Sequence, residues 1–202
     1  MSTHKRIYYL VNAITLYRII TIPVLGWLLY TRQDQLFNWG VAISFFTDLI
    51  DGFLARRFKV TSIAGTKLDS IGDDLTVAMA LTGLIVRYPG FIRTHWVILC
   101  VLAGVFLLQL GYAFYRYGRM SNFHTWLAKT AALLQGSFLI LTFFTGNPSV
   151  IFFYIATGIT CLELIEEIIL VYFLPEWKIN VHSIFHVISE QKKDGPQEQP
   201  VR

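Results

Sequence analysis

Five aspartates fall within the 27 residues from Asp48 to Asp74 of an otherwise strongly apolar chain. Asp48 and Asp51 are spaced i, i+3 and Asp69 and Asp73 i, i+4, so on helices each pair projects from a single face. A carboxylate at the centre of a membrane helix costs roughly 2.5–3.5 kcal/mol, and several together need a cation, water or protein partners. Four converging carboxylates offer only oxygen, which points to Mg²⁺ or Mn²⁺ rather than zinc, and the ligand count suits two ions. Two such ions, about 3.5–4 Å apart, favour phosphoryl chemistry because they stabilise charge on both the entering and the departing oxygen. Arg56, next to Ala55, has the fork of donors that holds a phosphate. The plainer alternative is a set of water-solvated charges at the mouth of a helical hairpin, but that would not require pairs in register on two helices.

The elements that must position these groups are legible from composition. The 202 residues are 54% hydrophobic and 15% charged, with a mean hydropathy of +0.53, outside the usual balance of a soluble domain. A spanning helix needs roughly 20 mostly apolar residues. Segments of that kind are expected at about 12–30, 39–57, 66–88, 94–115, 127–146 and 149–174. The fold class expected is therefore all-α, an integral membrane bundle of six transmembrane helices. Residues 1–11, MSTHKRIYYLV, mix Lys5 and Arg6 with aromatic and aliphatic residues and suit a short interfacial helix. The first apolar stretch has no small-residue cleavage site and reads as a retained helix. Residues 175–202 turn polar, as expected of a cytosolic tail. Cys100 and Cys161 lie in apolar segments and indicate neither a disulfide framework nor a zinc site.

Charge sets the orientation. Fourteen of the 17 Lys and Arg residues fall on one side of the expected spans and three, Arg32, Arg87 and Arg93, on the other, which puts both termini in the cytoplasm. The net charge of +4 comes from cations clustered at helix ends, which suits an anionic lipid surface and not nucleic acid. In this topology the second and third spans are antiparallel neighbours. Asp48 and Asp51 lie roughly 8–14 Å, and Asp69 and Asp73 roughly 5–11 Å, from the cytosolic ends of their helices, so the four can converge. Gly52, Ala55 and Gly65 would let backbone and ligand approach closely.

Residues 48–73, DLIDGFLARRFKVTSIAGTKLDSIGD, resemble the CDP-alcohol phosphatidyltransferase signature D-x2-D-G-x2-A-R-x8-G-x3-D-x3-D at every fixed position. The resemblance implies that Asp48, Asp51, Asp69 and Asp73 ligate two Mg²⁺ or Mn²⁺ ions, with Asp73 also the general base. It implies that Gly52, Ala55, Arg56 and Gly65 frame the CDP moiety, with Ser62 near the nucleotide phosphates or else an ordinary loop hydroxyl. The implied reaction is attack by an alcohol oxygen on the phosphorus nearest the diacylglycerol of CDP-diacylglycerol, with CMP leaving from a cytoplasmic-side site. Family resemblance also implies a homodimer.

The acceptor is less sharply written. The stretches NAITLYRIITIPV, residues 12–24, and HTWLAKTAALLQ, residues 124–135, are similar to segments of phosphatidylglycerophosphate and cardiolipin synthases, which makes glycerol 3-phosphate the first choice. Arg18 and Lys129 could each bind an acceptor phosphate, or could instead be snorkelling interfacial cations. Asp74 departs from those synthases, which usually carry Lys there; it could favour a neutral or cationic acceptor such as inositol or serine, or face away from the site, and inositol phosphate and phosphatidylglycerol are further alternatives. Glu163, Glu166 and Glu167 read as an acceptor-facing wall, as partners for Arg18 and Lys129, or as an interhelical hydrogen-bond cluster, and His124 as a structural histidine or an acceptor contact. A cation-coupled transporter also uses intramembrane carboxylates, but it calls for a pathway to both faces and often for repeated halves, which the sequence lacks.

Overall fold

The computed structural model describes residues 3–58, 63–118 and 125–174, and the side chains of residues 16–50, 71–118 and 125–174. Among these residues the chain is all-helical: α1 (Thr3–Tyr30), α2 (Asp34–Phe58), α3 (Ile63–Arg87), α4 (Pro89–Tyr117), α5 (Trp126–Thr145) and α6 (Val150–Phe173). Each expected span has its helix. In addition, α1 takes in residues 3–11 without a break, joining the stretch expected to lie at the interface to the first span.

Local chemistry explains the ends. The last turn of α1 closes with Arg32 at a positive φ of 58°, its N–H donating to the Leu29 carbonyl and that of Gln33 to Leu28, a Schellman arrangement. Pro89 opens α4, where its missing N–H is not needed. Gly118 and Gly146, at φ of 65° and 71°, stop α4 and α5 in the left-handed region. Thr125 caps α5, its hydroxyl accepting from the Ala128 N–H at 3.1 Å, and Ser149 does the same for α6 through Phe152.

The described residues divide into two compact units, those up to residue 94 with 136–148, and those of 95–135 with 149–174. In the first, α1 packs against α2 and α3, and α2 against α3. Its core holds Leu25, Phe37, Val41, Ala80, Leu84 and Phe143. Phe37 meets Phe143 edge to face, ring centroids 5.4 Å apart. At one end of this core Arg87 donates to Asn38 Oδ1 at 2.5 Å and pairs with Asp34 at 3.4 Å, while the Asn38 amide donates to the Phe143 carbonyl at 2.7 Å. Asn38 and Arg87 thus satisfy each other's buried polar groups, which would otherwise be costly.

The second unit is tied by neutral and singly charged partners. Gln109, buried on α4, donates to buried Glu167 on α6. Gln135 donates to Thr160 at 2.9 Å, and the Tyr117 hydroxyl donates to the Leu174 carbonyl at 2.8 Å beside a cluster of Ala113, Leu170, Val171 and Leu174. His95 is buried against the rings of Phe153 and Tyr154.

Many large apolar side chains face outward, among them Trp27, Leu107, Leu108 and Ile151. α4 and α5 are long and apolar enough to cross a membrane, and only 11% and 33% of their apolar stretches are buried, which is not the pattern of core helices in a soluble protein. Such surfaces suit lipid rather than water.

Gly83 leaves room for the Phe37 and Phe143 rings: a Cβ there would stand 2.5 Å from Phe37 Cζ and 3.3 Å from Phe143 Cζ. Gly83→Ala is expected to destabilise the protein by about 1–3 kcal/mol through overpacking. Gly26→Ala, where a Cβ meets nothing within 4 Å, is expected to leave stability unchanged or raise it by up to about 1 kcal/mol. Thermal unfolding of both variants in the same detergent checks the contrast.

Candidate active site

Three helices of the first unit deliver charge to one place. Asp48 comes from α2, Asp73 from α3 and Arg18 from α1. Arg18 Nη1 donates to Asp48 Oδ1 at 2.8 Å and Nη2 donates to Asp73 Oδ1. The guanidinium is 1% exposed, whereas the two carboxylates are 36% and 41% exposed, so the cation forms the floor and the aspartates the rim. Burying a guanidinium without partners is prohibitive, and two carboxylates held side by side repel unless positive charge lies between them. Each requirement answers the other.

The surroundings fit this purpose. Gly72 lies against the guanidinium, a Cβ there standing 3.8 Å from Arg18 Cζ. One turn on, the buried Thr76 hydroxyl donates back to the Gly72 carbonyl at 2.8 Å, which satisfies it without competing for Arg18. A small residue beside Asp73 therefore lets the α1 cation reach a carboxylate on α3.

Set against the sequence expectations, the structure brings together Asp48 and Asp73, two of the four expected metal ligands. Asp51, Gly52, Ala55 and Arg56 lie on α2 and Gly65 and Asp69 on α3, as expected, but their side chains lie outside the described residues. Ser62 and His124 lie outside them altogether. Among the described residues no three acidic, histidine or cysteine side chains gather as a metal site. Lys129 is an exposed residue of α5 whose ammonium stands 4.8 Å over the ring of Trp126. Asp74 is exposed. Glu167 is engaged by Gln109, which is the interhelical hydrogen bond considered for the α6 glutamates.

Arg18 is the correction. Snorkelling would carry its head to the interface, but the group is buried and held by two carboxylates, since in an apolar surround ion pairing outweighs the short reach to water. The signal was present: an arginine within NAITLYRIITIPV needs an acidic partner, and the nearest acidic residues beyond Asp34 are those of the 48–73 motif.

The sequence profile of the CDP-alcohol phosphatidyltransferase family matches residues 8–172. Among curated proteins the chain is 38% identical over 81 residues to a CDP-diacylglycerol--glycerol-3-phosphate 3-phosphatidyltransferase of Pseudomonas fluorescens, covering 37% of this chain and 40% of that protein. It is 35% identical over 85 residues to a cardiolipin synthase (CMP-forming) / mitochondrial hydrolase fusion protein of Schizosaccharomyces pombe, covering 38% of this chain and 14% of that protein. A longer match, 27% identical over 162 residues, joins 79% of the chain to 85% of the glycerol-3-phosphate 3-phosphatidyltransferase of Rickettsia typhi. The first of these matches thus span less than half the length of the relatives concerned. No solved structure matches the chain significantly.

Gly72→Ala is expected to leave stability unchanged or raise it by up to about 1 kcal/mol, because the added methyl finds ordinary contact and the helix gains propensity. Gly72→Leu is expected to lower it by roughly 1–3 kcal/mol, since the larger side chain must push the guanidinium off its carboxylates. The difference in melting temperature between these two variants is the measurement.

Proposed function

The chain belongs to the CDP-alcohol phosphatidyltransferase family, and from that premise we propose that it transfers the phosphatidyl group of CDP-diacylglycerol to a small alcohol with release of CMP. The observation that carries the reading is the meeting of Asp48 and Asp73, the first and last aspartates of the motif, around one positive group. Carboxylates from two helices that turn their oxygens to a shared cation have the donor chemistry that hard dications require. Asp48, Asp51, Asp69 and Asp73 would hold two Mg²⁺ or Mn²⁺ ions, which supply neutralisation of the pyrophosphate and of the departing CMP.

The residues of the chain do the rest. The acceptor oxygen forms a new bond to the phosphorus nearest the diacylglycerol, the phosphoanhydride bond to CMP breaks, and the acceptor proton passes to Asp73. That carboxylate is 41% exposed, accessible to a substrate hydroxyl while still anchored from below. Arg56, with Gly52, Ala55, Gly65 and Ser62, would orient the nucleotide phosphates, and this positioning supplies much of the rate advantage in phosphoryl transfer.

Glycerol 3-phosphate is the proposed acceptor, supported by the names of relatives that match over both short and long stretches. Lys129, exposed on α5, is the proposed acceptor-phosphate contact. The acidic Asp74 favours a second reading, in which the acceptor is neutral or cationic. The wider arrangement proposed is six membrane spans, both termini and the active site on the cytoplasmic side, and a homodimer; the outward-facing apolar surfaces and the distribution of Lys and Arg support the topology.

Asp73→Asn is expected to lower CMP release from CDP-diacylglycerol at least 100-fold while the protein still inserts and melts as a folded species. Near-normal release would remove Asp73 from the reaction. Chelation with EDTA is expected to abolish activity, and Mn²⁺ or Mg²⁺ to restore it; activity that survives exhaustive chelation would refute metal dependence. Supplied singly with glycerol 3-phosphate, inositol, inositol phosphate, serine or phosphatidylglycerol, the enzyme is expected to release CMP fastest with glycerol 3-phosphate.

A further inference from the structure

The reading of Asp48 and Asp73 as metal ligands leaves a buried cation unaccounted for. Arg18 is not a peripheral neighbour: it lies beneath both carboxylates, donates through a different nitrogen to each, and is almost wholly removed from solvent. It enters from α1, outside the 48–73 motif, so the positive charge is supplied by a helix that gives the site no carboxylate of its own.

Two facts of electrostatics follow. A dication held by Asp48 and Asp73 is repelled by the guanidinium that shares them, and the repulsion is weakly screened because Arg18 is shielded from water. A carboxylate oxygen aimed at a guanidinium N–H is also directed toward the floor of the site and away from its open rim. Resting on the metal-ligand reading of these aspartates, we propose that Arg18 is a built-in counter-ion that competes with divalent metal for Asp48 and Asp73. Loading the site then requires the guanidinium to loosen its hold on at least one of them. The device keeps the α2 and α3 carboxylates together at low metal and limits how tightly metal is held. Arg18 is thus a positioning residue, acting on the reaction through Asp48 and Asp73.

The test uses the full chain in detergent micelles, with Mn²⁺ binding followed by electron paramagnetic resonance of free Mn²⁺ and melting temperature recorded with and without Mn²⁺. Arg18→Gln is expected to bind Mn²⁺ on the order of tenfold more tightly than the unmodified protein, the scale of a typical coupling between two ligands of one protein. It should also melt lower without Mn²⁺ and gain more from its addition. Arg18→Lys, which keeps the charge but cannot fork to both carboxylates, is expected to fall between the two, and decides the matter should Arg18→Gln fail to fold. Equal or weaker Mn²⁺ binding by the folded Arg18 variants would overturn the proposal and leave the metal-ligand reading standing. Asp48→Asn separates the two ideas: if it binds Mn²⁺ as well as the unmodified protein, the metal-ligand reading fails first.

Discussion

A guanidinium buried among apolar helices and answered by two carboxylates is the constraint around which the first unit is organised. Arg18, Asp48 and Asp73 come from three different helices, and the buried guanidinium is not tolerable there without carboxylates to answer it. A guanidinium buried this deeply and left without its carboxylates would be strongly destabilising, whereas the part-exposed aspartates keep access to water. The packing of α1 against α2 and α3 is therefore electrostatic at this end, and the chemistry proposed for the site inherits its geometry from a structural ion pair.

The same two helices are joined a second time. Asp34 precedes Asp48 on α2 by as many residues as Asp73 precedes Arg87 on α3, and at 1.5 Å per residue each separation is about 21 Å. Arg87 closes the far end with Asp34 and Asn38 as Arg18 closes the near one. Two polar fastenings at matched spacing leave an antiparallel pair no freedom to slide by a helical turn, while Phe37, Gly83 and Phe143 fill the interval. Register matters more here than in an ordinary bundle, because a shift of one residue on either helix would turn a motif aspartate away from its partner. The second unit relies instead on the Gln109–Glu167 and Gln135–Thr160 pairs and on the caps provided by Thr125 and Ser149.

The number of helices among the described residues, and the placing of the motif aspartates on α2 and α3, were readable from the chain because they depend on local regularities: apolar run length and distance from the short break between two spans. Boundaries were less so. α2 begins at Asp34 and not near residue 39, because an acidic first turn suits the positive end of the helix and finds Arg87 beside it. α4 begins at Pro89, since a proline that would break a helix interior is at home in its first position. The role of Arg18 depends on residues 30 and 55 positions away. An unpaired arginine in an apolar run announces that a partner exists, but its identity is a property of the assembled helices. Asn38 and Arg87 are the same case, 49 residues apart.

The exposed aromatic residues bear on how the proposed lipid-borne substrate would be met. Trp27 and Tyr30 end α1 and Trp39 lies in the second turn of α2, all well exposed, with Trp39 braced edge to face on Phe144. Indole and phenol rings favour the headgroup layer, so in the proposed orientation these side chains would act as floats on the leaflet opposite the aspartates and set the draught of the first unit. A diacylglycerol anchored by its own tails carries its phosphorus at a nearly constant height and can only drift sideways. Meeting the proposed substrate would then be a search in two dimensions, with the vertical alignment already settled by rings on the far side of the membrane.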